Sequence, residues 1–310
     1  MTDQELDELC EPPARIPLRR LMRIASVPLR ARFLVESFLT GRHRSPIKGT
    51  SPEFAEYRSY QSGDNIRHID WRLFARSDRL GVKQFEDESQ MRLCLALDTS
   101  ASLRYASRPE VPSKFDHART LLGAVALLAR RQHDAVGLAC LAETPDAAEY
   151  LRPGSSASHY QTVLRRLDLP PVRRAVSLDA GLSALAPILS RGTIVVLASD
   201  FYTEVPGFEA ALALLRAHEV EVIGFQVLDP MEVDFDLKLA GRFVDLEEGT
   251  RLPLNAVACR AGYLERFGRH QRELLDAFRR QRCDLILQRT DANPFLALSA
   301  YLARRARAAP

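Results

Sequence analysis

Leu93-Cys94-Leu95-Ala96-Leu97-Asp98-Thr99-Ser100-Ala101-Ser102 is the stretch that decides the fold. Five apolar residues read as a short buried strand, and the aspartate with its alternating hydroxyls reads as a tight loop directly after it. The same grammar returns at Thr193–Ala198 (TIVVLA), the clearest buried strand in the chain, which is followed closely by Asp200. Between and beyond these two runs, strand and helix signals alternate. Lys114–Arg131 has helical spacing, with Phe115, Ala118, Leu121, Leu122, Val125 and Leu128 on one side. Ala135–Leu141 and Ala148–Leu151 flank a Thr144-Pro145-Asp146 turn and form a hairpin. Further helices are expected over His159–Leu167, Leu178–Leu189 and Glu209–His218, with a strand at Glu221–Val227. A small inserted hairpin spans 241–254, followed by a long helix over Ala258–Arg280, a strand at Asp284–Gln288 and a last helix over Pro294–Arg305. Strands linked through helices give an α/β class with a doubly wound, mostly parallel sheet covered on both faces.

The flanks and the composition bound the rest. The chain has 310 residues, 46% apolar and 27% charged, and a formal charge of +3 from 43 Lys+Arg against 40 Asp+Glu. That is globular composition, and the near-balance excludes a general polyanion binder. Five scattered cysteines (10, 94, 140, 259, 283) with no C-x-x-C pair point to a reducing compartment. No apolar run approaches the ~20 residues that span a bilayer, and the expected location is cytoplasmic. Residues 1–14 form an acidic leader. Residues 15–88 form an N-terminal α+β extension, and 89–310 the α/β domain. Within the extension, 15–48 carries nine basic residues against one acid, Glu36. Its Leu18, Leu21, Met22, Ala25, Leu29, Phe33 and Phe38 suggest amphipathic helical pieces interrupted near Pro28. It reads as a solvated amphipathic face, with an acidic protein surface or membrane headgroups as the other readings; specific nucleic-acid binding would want more interleaved aromatics.

In an open α/β sheet, ligands bind beyond the carboxyl ends of the strands. Asp98 and Asp200 both arrive at that edge. Alternate residues Asp98, Ser100 and Ser102 can turn towards one point and offer a carboxylate and two hydroxyls, hard oxygen ligands suited to Mg²⁺ or Mn²⁺. The same residue types also cap helices and stabilise turns, so a hydrogen-bonded cap without metal is the competing reading.

The sequence Asp98-x-Ser100-x-Ser102 with Asp200 resembles the metal-ion-dependent adhesion site of the von Willebrand factor A-like superfamily. Residues 53–86 are more telling. Glu53-Phe54, Arg58-x-Tyr60, Gly63-Asp64, Arg67, Ile69-Asp70-Trp71, Ala75-Arg76 and Val82-Lys83-x-Phe85-Glu86 resemble the signature of the bacterial domain-of-unknown-function 58 family, in which such a block precedes an A-like domain. Ser113-Lys114 and Ser199-Asp200-Phe201 continue the resemblance, which covers the chain from about residue 15 to its end. It implies a Rossmann-like, A-type topology. It also implies a divalent ion, Mg²⁺ or Mn²⁺, bound by Ser100 and Ser102, with Asp98 and Asp200 acting directly or through water. The threonine that the superfamily supplies from a second loop falls on Val176, which has no side-chain oxygen; Ser177 beside it is the substitute if the loop shifts by one residue.

The resemblance further implies a non-catalytic interaction module. The ion keeps one coordination position open, and an acidic side chain from a partner completes it. Proteins of this kind associate with AAA+ ATPases of the MoxR type in adaptor, assembly or chaperone-like roles. Arg58, Asp64, Arg67, Asp70, Trp71 and Arg76 either form a polar groove for a partner or pair internally to pin the N-terminal segment. No nucleophile elbow, zinc-protease motif, Walker A loop or G-x-G-x-x-G motif is present. His117 reads as a surface or interfacial side chain rather than a base, and His159 lies close in sequence to Ser155, Ser156 and Ser158. Two rival functions remain: a Mg²⁺-dependent hydrolase at the same edge, and a scaffold that binds no metal.

Overall fold

The computed structural model describes residues 18–42, 57–59, 81–83, 91–141, 149–170, 177–237, 240–246 and 249–308. They divide into two compact units, one holding residues up to His43 together with everything from Met91 onward, the other spanning Arg44–Gln90. The first unit begins with helices α1 (Leu18–Arg23) and α2 (Val27–Arg42). The second contains strands β1 (Tyr57–Ser59) and β2 (Gly81–Lys83), paired antiparallel with Arg58 opposite Val82.

From Met91 the first unit continues in order. It runs through β3 (Arg92–Leu97), a 3₁₀ turn at Ala101–Arg104, α3 (Lys114–Arg131), β4 (Ala135–Cys140), β5 (Glu149–Gly154), α4 (Ala157–Asp168), α5 (Leu178–Leu185) and β6 (Thr193–Ser199). Next come α6 (Val205–Ala217), β7 (Glu221–Leu228), α7 (Pro230–Asp234), the hairpin β8 (Ala240–Val244) and β9 (Arg251–Asn255), α8 (Ala256–Arg280), β10 (Asp284–Arg289) and α9 (Phe295–Ala308). Six strands form the main sheet in the order β10-β7-β6-β3-β4-β5. All neighbours are parallel except β5, which returns antiparallel along β4. Counted along the chain this is the doubly wound order 3-2-1-4-5-6, whose direction reverses between β3 and β6. This is the Rossmann-like topology that the resemblance to the von Willebrand factor A-like superfamily implies.

Period-two alternation splits the sheet's side chains between two cores. Leu93, Leu95 and Leu97, with Ile194, Val196 and Ala198, face α2, α3, α4 and α9. Cys94 and Ala96, with Val195 and Leu197, face α5, α6 and α8. β6 is buried along its whole length, as its unbroken apolar run requires.

Within the expected 15–88 extension, α2 packs with the α/β unit, because Val27, Ala31, Leu34 and Val35 make an apolar stripe at helical spacing that is buried against α3. Gly123 of α3 permits this approach; a Cβ there would lie 3.1 Å from Val27 Cγ1 and 3.2 Å from Ala31 Cβ. The helix from Leu178 ends at Leu185 rather than Leu189: Ala186 keeps helical backbone, but Pro187 has no N–H to donate to the carbonyl four residues back. His117, expected as a surface or interfacial side chain, is fully buried, because α3 is enclosed on nearly every side.

Candidate functional site

The direction of the sheet reverses where β3 and β6 lie side by side, and both strands deliver an aspartate there. The Asp98 amide donates to Ala198 O at 3.1 Å, which extends the strand pairing to the aspartate itself. Asp98 is 2% exposed. Its Oδ1 accepts the Ser100 amide at 2.8 Å, and its Oδ2 accepts the Ser199 hydroxyl at 2.6 Å. Ser199 Oγ in turn accepts the Phe201 amide at 2.8 Å. Ser100 Oγ and Ser102 Oγ are 3.0 Å apart and share a hydrogen bond. Thr99 donates from its hydroxyl to Leu141 O at 2.9 Å, tying the loop to the end of β4. Burial, reinforced by the neighbouring Asp200 charge, pushes the Asp98 carboxyl up to about 6.

Asp200 is also 2% exposed, and its partner is a cation from the chain itself. Lys114 Nζ donates to Asp200 Oδ2 at 2.7 Å and to Glu232 Oε1 at 2.6 Å, and the lysine is completely buried. The ammonium also lies over the Tyr202 ring at 5.0 Å and the Tyr105 ring at 6.0 Å. Burial alone would lower the Lys114 pKa, but the charges of Asp200 and Glu232 outweigh it and hold it above its ordinary value. Burial raises Glu232 in spite of that ammonium.

Each arm of this triad is built locally. Lys114 is the first residue of α3, behind the cap Ser113, whose hydroxyl accepts the Asp116 amide. A cation at a helix N-terminus opposes the macrodipole by ~0.3–1 kcal/mol, so Lys114 needs carboxylates nearby. Glu232 comes from a capping box on α7: Asp229 Oδ1 accepts the Met231 amide at 2.8 Å, and Glu232 Oε2 accepts the Asp229 amide at 2.9 Å. Asp229 Oδ2 accepts the Ser107 amide at 2.9 Å, joining the loop after β3 to the end of β7. Phe201 takes a left-handed backbone (φ 59°), turning the chain immediately after Asp200. Its ring packs edge-on against Phe208 and Phe278, each with centroids 5.5 Å away, and its carbonyl accepts His270 Nε2–H at 2.9 Å.

The structure therefore brings Asp98, Ser100, Ser102 and Asp200 to one edge. Ser177 caps α5, hydrogen-bonded to Asp179 and accepting the Ala180 amide. Val176 lies outside the described residues, as do Asp64, Arg67, Asp70, Trp71 and Arg76; Arg58 is described only through its backbone in β1.

The donor set does not fit a divalent ion well. The Ser100–Ser102 pair has suitable spacing, but both Asp98 oxygens accept hydrogen bonds from the chain, and Asp200 holds an ammonium. A divalent ion on Asp200 would be repelled by the Lys114 ammonium already held there. Among the described residues, no group of three His, Cys, Asp or Glu side chains is placed to hold a metal ion. Asp200, expected as a ligand to Mg²⁺ or Mn²⁺, pairs here with Lys114 at 2.7 Å.

Motif reading singles out Lys114 only as part of the family resemblance, with no role at this edge, and does not single out Glu232. The available signals were a lysine on the apolar face of a helix start and the D-x-x-E capping pattern at Asp229–Glu232.

A family model described as "Protein of unknown function DUF58" matches residues 56–273. The chain belongs to this DUF58 family. The matched range takes in the whole edge, including Asp98, Lys114, Asp200 and Glu232. The uncharacterized protein Rv1480 of Mycobacterium tuberculosis (strain ATCC 25618 / H37Rv) is 25% identical over 320 residues, covering 100% of this chain and 98% of its own. Among solved structures, BatB from Bacteroides thetaiotaomicron is 15% identical and aligns over 70% of this chain and 99% of its own, with a TM-score of 0.47. An aerotolerance-related membrane protein from Bacteroides fragilis is 18% identical and aligns over 68% and 96%, also with a TM-score of 0.47. Among the described residues of this DUF58 protein, no helix is long and apolar enough to cross a membrane.

Proposed function

We propose that this DUF58 protein is a non-catalytic interaction module, and that it meets its partner at the carboxyl edge of β3 and β6. The supporting observation is that the polar groups at this edge are spent on holding three loops in place, while an exposed aromatic side chain stands above them. The loops after β3, β6 and β7 are cross-tied by Lys114, Asp200, Glu232 and Asp229, and Tyr202 stands 44% exposed beside them. A rigid rim with an exposed aromatic is what an interface hot spot requires. Three of the described histidines are held in the framework. His270 is hydrogen-bonded to Phe201 O, His159 to Val136 O, and His117 is buried.

The partner we propose is a MoxR-type AAA+ ATPase, as the family resemblance implies, with the module acting in the cytoplasm as an adaptor or assembly factor. The test is a binding isotherm with the purified ATPase from the same genome, using wild type and Tyr202→Ala. A loss of about tenfold or more in affinity, with unchanged circular dichroism, is expected. Unchanged affinity would move the interface elsewhere, and Asp98-dependent phosphoester turnover would make the chain an enzyme.

A further inference from the structure

We infer that Lys114 is the resident cation of this edge, taking the counter-charge role that the superfamily resemblance gives to a divalent ion, so that the module is complete without metal. The ammonium is enclosed by two carboxylates and two rings: Asp200 at 2.7 Å, Glu232 at 2.6 Å, Tyr202 and Tyr105. It has no exposure to solvent and is therefore a fixed part of the loop architecture. It reaches across the topology as a bound ion would. Asp200 follows β6 and Glu232 follows β7, while Lys114 opens the helix after β3. Three strand-end loops are thereby clamped by one charge.

A covalently tethered cation differs from a bound one in two ways. It cannot be chelated away, and it presents no open coordination position to a partner's carboxylate. A partner at this edge meets the Tyr202 ring and no metal to ligate. This inference holds whatever the partner is, because it concerns only how the edge is neutralised.

Calorimetric titration of Mg²⁺ and of Mn²⁺, each into the millimolar range, on full-length wild type, Lys114→Met and Asp98→Ala tests it. Wild type is expected to give no binding heat and the same Tm with EDTA as with either ion. Lys114→Met, which leaves Asp200 and Glu232 without a counter-charge, is expected to bind Mn²⁺ at least about tenfold more tightly than wild type does and to gain Tm on its addition. Heat in wild type that disappears in Asp98→Ala would overturn the inference. Silence in both wild type and Lys114→Met would also overturn it, since the ammonium would then stand in no cation's place. If Lys114→Met does not accumulate folded in EDTA, it is refolded with Mn²⁺: recovery of folded chain supports the inference and failure to recover refutes it.

Discussion

At the scale of single residues, buried charge sets the energetics of this molecule. Removing one partner from a buried ion pair costs ~3–5 kcal/mol, because the survivors are left uncompensated. Lys114→Ala abandons two carboxylates together, and Asp200 is 2% exposed. The variant should lose ~3–5 kcal/mol in urea-induced unfolding, whereas loss of less than about 1 kcal/mol would show the pair to be as weak as a surface one. His117 presents the opposite case. Its ring nitrogens have no hydrogen-bond partner among the described residues. Burial, helped by the Arg30 charge, drives its pKa down to about 3. The unfolded chain therefore binds a proton on His117 between about pH 6.5 and pH 3 that the folded chain refuses, and stability falls as pH drops through that window. His117→Leu should be neutral or slightly stabilising near neutrality. It should also remove up to about 2–3 kcal/mol of the stability loss between roughly pH 7 and pH 4.5. Equal acid sensitivity in both proteins would refute the assignment.

At the scale of elements, packing explains both what pattern reading recovers and where it stops. LCLAL and TIVVLA announce themselves as strands because a sheet buried on both faces demands unbroken apolar runs, and both are observed as β3 and β6. The hairpin of β8 and β9 is marked by its turn, closed by Asp245 N–H to Thr250 O at 2.8 Å, with Gly249 at φ 75°. The Lys114–Glu232 contact is not legible in this way, since it joins residues 118 apart and depends on the twist of the whole sheet. The burial of α2 was obscured by its arginines, although Val27, Ala31, Leu34 and Val35 carry the helical period. Contact between α8 and the sheet supplies a prediction at this scale. Gly224 of β7 accepts the Phe278 ring so closely that an added Cβ would sit 2.8 Å from its Cζ. The backbone there is ordinary, so the penalty is steric. Gly224→Ala should cost ~1–3 kcal/mol by overpacking, and pairing it with Phe278→Leu should recover part of that loss. If the single variant is as stable as wild type, the close approach is wrong.

For the whole molecule, the doubly wound order places its switch between β3 and β6, and every group discussed at the edge follows from that placement. The sequence announces the two aspartates and the serines of this edge, and the family resemblance names the architecture. Neither shows that the chain supplies its own counter-charge, because that depends on a lysine at the start of α3 meeting a glutamate from a capping box after β7. The strand-end loops of this DUF58 protein are locked by the Lys114 ammonium, and the rim outside them is the face proposed for a partner. Amide hydrogen exchange of the full chain, with and without the purified MoxR-type ATPase, tests this most directly. The account predicts added protection in residues 98–107, 199–204 and 229–234 when the ATPase is bound. Protection confined to other segments, with these three unchanged, would contradict it.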